Sequence, residues 1–143
     1  GVITSEVEIL RQITPDGRVE VVAALRDLAD TWGADLILAT GGTGPAPRDQ
    51  TPEAMADVIT MELAGFGEAM RAANSRVVAT AILSRQSAGV RGKTLIITLP
   101  GSPNAISTSL EAIFAAVPYC LDLIGATRIE TDPAVIKAHR PKT

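Results

Sequence analysis

The chain has 143 residues, 46% of them hydrophobic, with a formal net charge of −3 and 3% aromatics. That length suits a single domain with an aliphatic core, and the negative balance without any Lys/Arg-rich run gives no basis for nucleic-acid binding. The lone cysteine, Cys120, excludes an internal disulfide, and no signal-peptide or bilayer-spanning pattern is present, so a cytoplasmic soluble protein is expected.

Val7 to Ile13 has the composition of a strand, and Thr14-Pro15-Asp16-Gly17 reads as a turn. Val21, Val22, Leu25, Leu28 and Ala29 then fall at helical spacing, predicting a helix over Val19 to Trp32. Leu36 to Ala39 reads as a buried strand, four apolar residues with a charge before and glycine after. Gly41, Gly42 and Gly44 allow positive φ and a close approach to the backbone. Thr51-Pro52-Glu53 marks a helix start, with Thr51 as N-cap and Pro52 at the first helical position, and the helix is expected to reach about Leu63.

Gly65-Phe66-Gly67 is expected to interrupt, Glu68 to Asn74 to form a short helix, Val77 to Leu83 a strand, and Ser84 to Gly92 a loop. Thr94 to Leu99 is the clearest strand. It runs into Pro100-Gly101-Ser102-Pro103-Asn104 and a helix to about Glu111. Ile113 to Ile124 reads as a final helix, with Pro118 at its start or kinking it. Apolar strands alternating with helices predict a three-layer α/β/α sandwich around a mostly parallel sheet.

In such sheets ligands sit beyond the carboxyl ends of the strands. Three polar loops qualify: Thr14–Gly17, Gly41–Asp49 and Pro100–Asn104. A strand, a glycine turn and a fresh helix N-terminus form a cradle of N–H groups for an anion; the alternative is a tight turn before an ordinary helix. Asp16 and Asp49, one on each of the first two loops, suggest Mg²⁺-assisted phosphoryl or nucleotidyl transfer, although Asp16 in Pro-Asp-Gly also suits a plain turn. The pattern does not suggest a Walker-type nucleotide site, because no Lys-Ser/Thr follows the glycines.

Gly41-Gly42-Thr43-Gly44-Pro45, Arg48-Asp49 and Thr51-Pro52-Glu53 together resemble the signature of the MogA/MoaB family of molybdenum-cofactor proteins. Leu99-Pro100-Gly101-Ser102-Pro103-Asn104-Ala105 resembles the family's second signature. Thr80-Ala81-Ile82-Leu83-Ser84-Arg85-Gln86, Val117-Pro118-Tyr119-Cys120 and Arg140-Pro141-Lys142 are similar to its MogA branch, the molybdopterin adenylyltransferases. The resemblance runs from about Ile3 to the C-terminus.

It implies molybdenum cofactor biosynthesis: attack by the terminal phosphate of molybdopterin on the α-phosphorus of Mg-ATP, giving adenylyl-molybdopterin and pyrophosphate. A non-catalytic molybdopterin carrier of MoaB type is the alternative. Asp49 and Asp16 are the implied catalytic and Mg²⁺-holding residues, with ATP as co-substrate. Gly41, Gly42, Thr43, Gly44, Asn74, Ser84, Thr98, Gly101 and Ser102 are the implied substrate-side residues. A homotrimer, and a downstream molybdate-inserting protein as partner, are implied in the same way.

Thr98 stands where the family often has asparagine, and Asn74 where it often has serine, so adjusted pterin contacts are expected. The chain is read as one molybdopterin-binding domain over 1–143 that lacks the family's N-terminal strand, with its Ser-Asp-Arg loop, and a loop near 112–114. The expectation is a longer protein, which an intact mass near 14.9 kDa would contradict.

Other residues carry less. His139, in a charged tail, has no expected role, and Cys120 reads as a buried small hydrophobe. Trp32 reads as helix-end packing. Arg48, Arg85 and Arg91 each suit either a phosphate contact or plain solvation.

Overall fold

The computed structural model describes residues 1–142. In chain order the elements are α1 (Arg18–Arg26, continued by a π-helical turn, Asp27–Thr31), β1 (Leu36–Thr40), α2 (Thr51–Val58), β2 (Met61–Glu62) and α3 (Ala64–Ser75). A 3₁₀ turn (Ala79–Leu83), β3 (Ala88–Arg91), β4 (Thr94–Leu99), α4 (Pro103–Ile113), a second 3₁₀ turn (Phe114–Ala116) and α5 (Val117–Leu123) complete the fold.

β4 organises the molecule. All six of its residues are buried, and each fully buried aliphatic side chain contributes about 1.5–3 kcal/mol of transfer free energy. Strand side chains alternate between faces, so β4 feeds two cores. Leu95, Ile97 and Leu99 join Met70, Ile113, Phe114, Val117 and Leu121 from α3 to α5. Ile96 joins Leu25, Ile37, Met55 and Val58 on the side of α1 and α2. Helices therefore cover both sheet faces, as the three-layer α/β/α class requires.

The sheet order is β1-β4-β3-β2. β1 runs parallel to β4, while β4/β3 and β3/β2 are antiparallel, so the sheet is mixed with its one parallel pair at the site. β1 is the end strand. Of its residues only Ile37 is buried, which corrects the expectation of a buried strand over Leu36 to Ala39.

Several boundaries differ from expectation, each for a local reason. Val7–Ile13 forms no strand; Ile13 is 99% exposed, so its apolar side chains meet no sheet to pair with. Val77–Leu83 is likewise exposed, and its last five residues wind into the 3₁₀ turn. α2 stops at Val58, and Met61–Glu62 pairs with β3 instead of extending the helix. Ser84–Gly92 was expected as a loop but contains β3, whose Ala88 and Gly89 carry little strand propensity. Gly65 to Gly67 do not interrupt: α3 runs through them, because a Cβ at Gly67 would lie 2.7 Å from Gln86 O, so the helix needs a glycine there to approach that segment.

From Pro103 to Leu123 the chain is helical for 21 residues with mean hydropathy 1.3, which length and composition alone would allow to cross a membrane. Here that stretch is bent by a 3₁₀ turn, with Pro118 opening α5, and its apolar side supplies the larger core.

Candidate active site at the glycine loop

Because β1 and β4 are parallel neighbours, their carboxyl ends place two strand-to-helix loops side by side. Gly41 N donates to Leu99 O at 3.1 Å, and a Cβ on Gly101 would sit 3.8 Å from Gly41 Cα. Gly41 and Gly42 adopt φ of +88° and +66°, the left-handed region that glycine enters freely. A side chain on Gly42 would also drive into the Thr51 hydroxyl.

Thr51 is not the N-cap of α2. Gln50 holds that position, and Thr51 is the first helical residue. Its hydroxyl donates to Gly41 O at 3.0 Å and its N–H to Gly42 O at 3.1 Å, so the residue ties the helix to the glycine turn. Pro52 has no N–H, and Ala54 N donates to Gln50 O. Glu53 N–H has no hydrogen-bond partner among the described residues, so the first turn of α2 keeps one donor of the expected helix-terminal cradle. More free donors lie earlier: the N–H groups of Gly42, Thr43 and Gly44 have no protein partner among the described residues. Successive unpaired backbone N–H groups form an anion-binding nest.

Asp49 closes this loop. Its Oδ2 accepts from Ala46 N at 3.0 Å, and Asp49 N donates to Ala46 O at 2.9 Å. Oδ1 has no hydrogen-bond partner among the described residues. Asp16 is exposed, just before α1, and makes no hydrogen bond to another described residue. No cluster of three or more His, Cys, Asp or Glu side chains is present among the described residues. Carboxylate oxygens are hard donors that suit Mg²⁺ when phosphates and water complete its shell, and Asp49 Oδ1 is free for such a role.

The remaining expected residues divide. Thr43 is 5% exposed, its hydroxyl 3.5 Å from Ser84 Oγ. Gly101 and Ser102 are exposed on the second loop, where Ser102 caps α4 by accepting from Ala105 N at 3.3 Å. Asn74 and Thr98 face inward. Asn74 is 7% exposed and donates through Nδ2 to Met70 O at 2.9 Å and Ser109 Oγ at 2.8 Å, between α3 and α4. Thr98 is fully buried, accepting from Ser87 N and donating to Ser87 O. Both side chains spend their polar groups on packing.

Among the arginines, Arg48 is exposed and Arg91 pairs with Asp30 at 2.7 Å, beside the hairpin that joins β3 to β4. Arg85 is only partly exposed and is held by the protein rather than simply solvated. It folds over the glycine loop and meets Glu53 Oε1 at 2.6 Å, and this hydrogen bond holds the Glu53 carboxyl below its ordinary pKa. Nothing in the sequence pairs two residues this far apart. Burial raises the Cys120 thiol, which keeps it protonated and inert at neutral pH.

A groove of about 570 Å³ lies elsewhere, between β2, α3 and the end of α4, walled by Leu63, Phe66, Ala69, Ile113 and Ala116. Its lining is mostly apolar, with Glu62 at one edge, which leaves the glycine loop as the candidate site.

A family model described as a probable molybdopterin binding domain matches residues 5–119. The chain belongs to this family. The molybdopterin adenylyltransferase of Helicobacter pylori strain 26695 is 47% identical over 140 residues, which is 98% of this chain and 80% of that protein. The Escherichia coli K12 molybdopterin adenylyltransferase is 41% identical over 153 aligned positions, covering 99% of this chain and 78% of its own length. Because 153 exceeds the 143 residues present, the E. coli protein carries residues inside the aligned span that this member lacks. Among solved structures, the molybdopterin biosynthesis enzyme MoaB of Thermus thermophilus superposes with a TM-score of 0.75 at 46% identity, over 81% of this chain and 73% of that one. The MogA/MoaB fold read from the two signatures is therefore the fold of this molecule, and its relatives are enzymes of molybdenum cofactor biosynthesis.

Proposed function

We propose that this member adenylylates molybdopterin with Mg-ATP, releasing pyrophosphate. The observation that carries the reading is the run of unpaired N–H groups at Gly42, Thr43 and Gly44 beside the Asp49 carboxylate, where two parallel strands end together. In the reaction a terminal phosphate oxygen of molybdopterin forms a bond to the α-phosphorus of ATP, and the bond from that phosphorus to the bridging oxygen of the β-phosphate breaks. Charge builds on the phosphoryl oxygens, so the chain's task is placement and neutralisation.

The N–H groups of residues 42–44 hold phosphate oxygens without side-chain reorganisation. Gly101 and Ser102, directly across, form the opposite wall. Ser84 and Thr43 offer hydroxyls at the rim. Asn74 and Thr98 support those walls from inside. Asp49 and Asp16 would hold Mg²⁺, which when bound lowers the charge repulsion between the two phosphates. A homotrimer, delivery to a molybdate-inserting protein and a cytoplasmic setting belong to the same reading.

The test is to incubate the protein with molybdopterin and Mg-ATP and identify the product by mass. Adenylyl-molybdopterin, absent when ATP is withheld, is the expected result. Molybdopterin recovered unchanged but tightly bound overturns the transferase reading in favour of a MoaB-type carrier, which the likeness to the Thermus structure also accommodates.

A further inference from the structure

The segment Ser84–Gln86 is gripped from both sides. From behind, Arg71 on α3 donates Nη1 to Gln86 O at 2.7 Å and to Ser84 O at 3.5 Å. Toward the front, Arg85 N donates to Thr43 O at 2.7 Å. The Arg85 guanidinium then spans the loop: Nε and Nη2 donate to Gly44 O at 3.1 and 2.9 Å, Nη2 to Asp49 O at 2.9 Å, and Nη1 to Glu53 Oε1 at 2.6 Å. Four of its five N–H groups are spent on the protein, two through Nη2, one through Nε and one through Nη1. That leaves too little for a bidentate grip on phosphate. Between Pro45 and Asp49 the loop's local contacts are the reciprocal Ala46–Asp49 pair and Gln50 Nε2 donating to Pro47 O at 2.8 Å. A planar guanidinium with donors in a rigid fork fixes several acceptors relative to one another, which a lysine ammonium cannot do.

We propose that Arg85 is the positioning residue of this site: anchored to α3 through Arg71, it fixes Gly44, Asp49 and the first turn of α2 so that the Asp49 carboxylate stands at a set place beside the free N–H groups of residues 42–44. The proposal rests on the adenylyl-transfer reading for its catalytic consequence, and on the loop geometry alone for its structural one. Arg85 touches no reacting atom. It acts through Asp49.

The experiment compares the full chain with Arg85→Gln, Arg85→Lys and Glu53→Gln by amide hydrogen exchange, thermal unfolding, molybdopterin binding and Mg²⁺ titration of turnover. Arg85→Gln is expected to speed exchange at Ala46 and Asp49 by about tenfold or more while the β4 amides stay protected, as for local rather than global opening. Its kcat should fall by up to about 10²-fold, as misplacing a reacting group by about 1 Å does, with a raised Mg²⁺ requirement and molybdopterin affinity within about twofold of the unmodified chain. Arg85→Lys should behave like Arg85→Gln, because the fork and not the charge is needed. Should Arg85→Gln fail to fold, the isosteric Glu53→Gln is expected to show the same changes in smaller measure.

Unchanged exchange at Ala46 and Asp49 overturns the proposal, as does rescue by lysine of an ATP KM raised in Arg85→Gln, which would make Arg85 a direct phosphate ligand. Faster loop exchange with no turnover in the unmodified chain would support the clamp and reject the adenylyl-transfer reading instead.

Discussion

Two loops leave the carboxyl edge of the sheet side by side, and they are held in opposite ways. The loop after β4 is short and closes on itself: Ser102 caps α4, and Pro103 opens the helix with its φ preset. The loop after β1 has two glycines at positive φ and no side-chain cap on α2; distant residues hold it, with Leu99, Thr51 and above all Arg85 supplying the contacts. A self-capped loop can change at modest cost. A loop held from outside presents free N–H groups, and its shape depends on partners far away in the sequence.

That contrast can be broken at several points. The largest effect should come from alanine at the paired glycines. Gly42→Ala meets both a left-handed backbone and the Thr51 hydroxyl, and is expected to cost about 1–3 kcal/mol or more with loss of molybdopterin binding. Gly101→Ala has room and no positive φ, so its melting temperature should stay close to that of the unmodified chain. Equal losses for the two would remove the distinction.

Next in size is the anchor of α4. Asn74→Leu removes a buried pair of hydrogen bonds and strands Ser109, for an expected 1–3 kcal/mol (about) in denaturant unfolding. Molybdopterin affinity should not move, and a large loss of affinity in a well-folded variant would return Asn74 to the substrate side. Ser102→Ala should cost about 1 kcal/mol, the ordinary worth of an N-cap.

The smallest effect is the acid limb of the Arg85–Glu53 pair. The folded pKa of Glu53 is lowered, so the pair's contribution is full above the ordinary carboxylate pKa and is lost as pH falls through the lowered value. Unfolding followed across that window should lose about 0.2–1 kcal/mol more for the unmodified chain than for Glu53→Gln, the pair being partly exposed.

Legibility in the sequence followed the same divide. β4 was plain because six residues without a charge or glycine have one good use, a strand covered on both faces. The glycine loop was plain because its glycines cluster between a strand and Thr-Pro-Glu. β3 was hidden because Ala88 and Gly89 look like loop residues, and a partner strand made them a strand. Val7–Ile13 and Val77–Leu83 look like strands because their composition suits one, yet pairing decides, and neither pairs.

At the candidate site, residue types pointed to the two loops that the parallel strands bring together and to Asp49, whereas the placement of the free donors at residues 42–44 required the backbone geometry. Asn74 and Thr98 carry ligand-like side chains whose partners, Ser109 and Ser87, are set by helix and strand packing. The Arg85 clamp joins Gly44, Asp49 and Glu53 across more than thirty residues of chain, and periodicity carries no information about it.

The most direct test of adenylyl transfer at this loop is pyrophosphate release from Mg-ATP with and without molybdopterin, for the unmodified chain and for Asp49→Ala. Molybdopterin-dependent release that falls by at least about 10²-fold in the variant, the scale expected when a charge-stabilising group is removed from a transfer site, is the predicted result. Tight molybdopterin binding with no release, or equal release from both proteins, would contradict it.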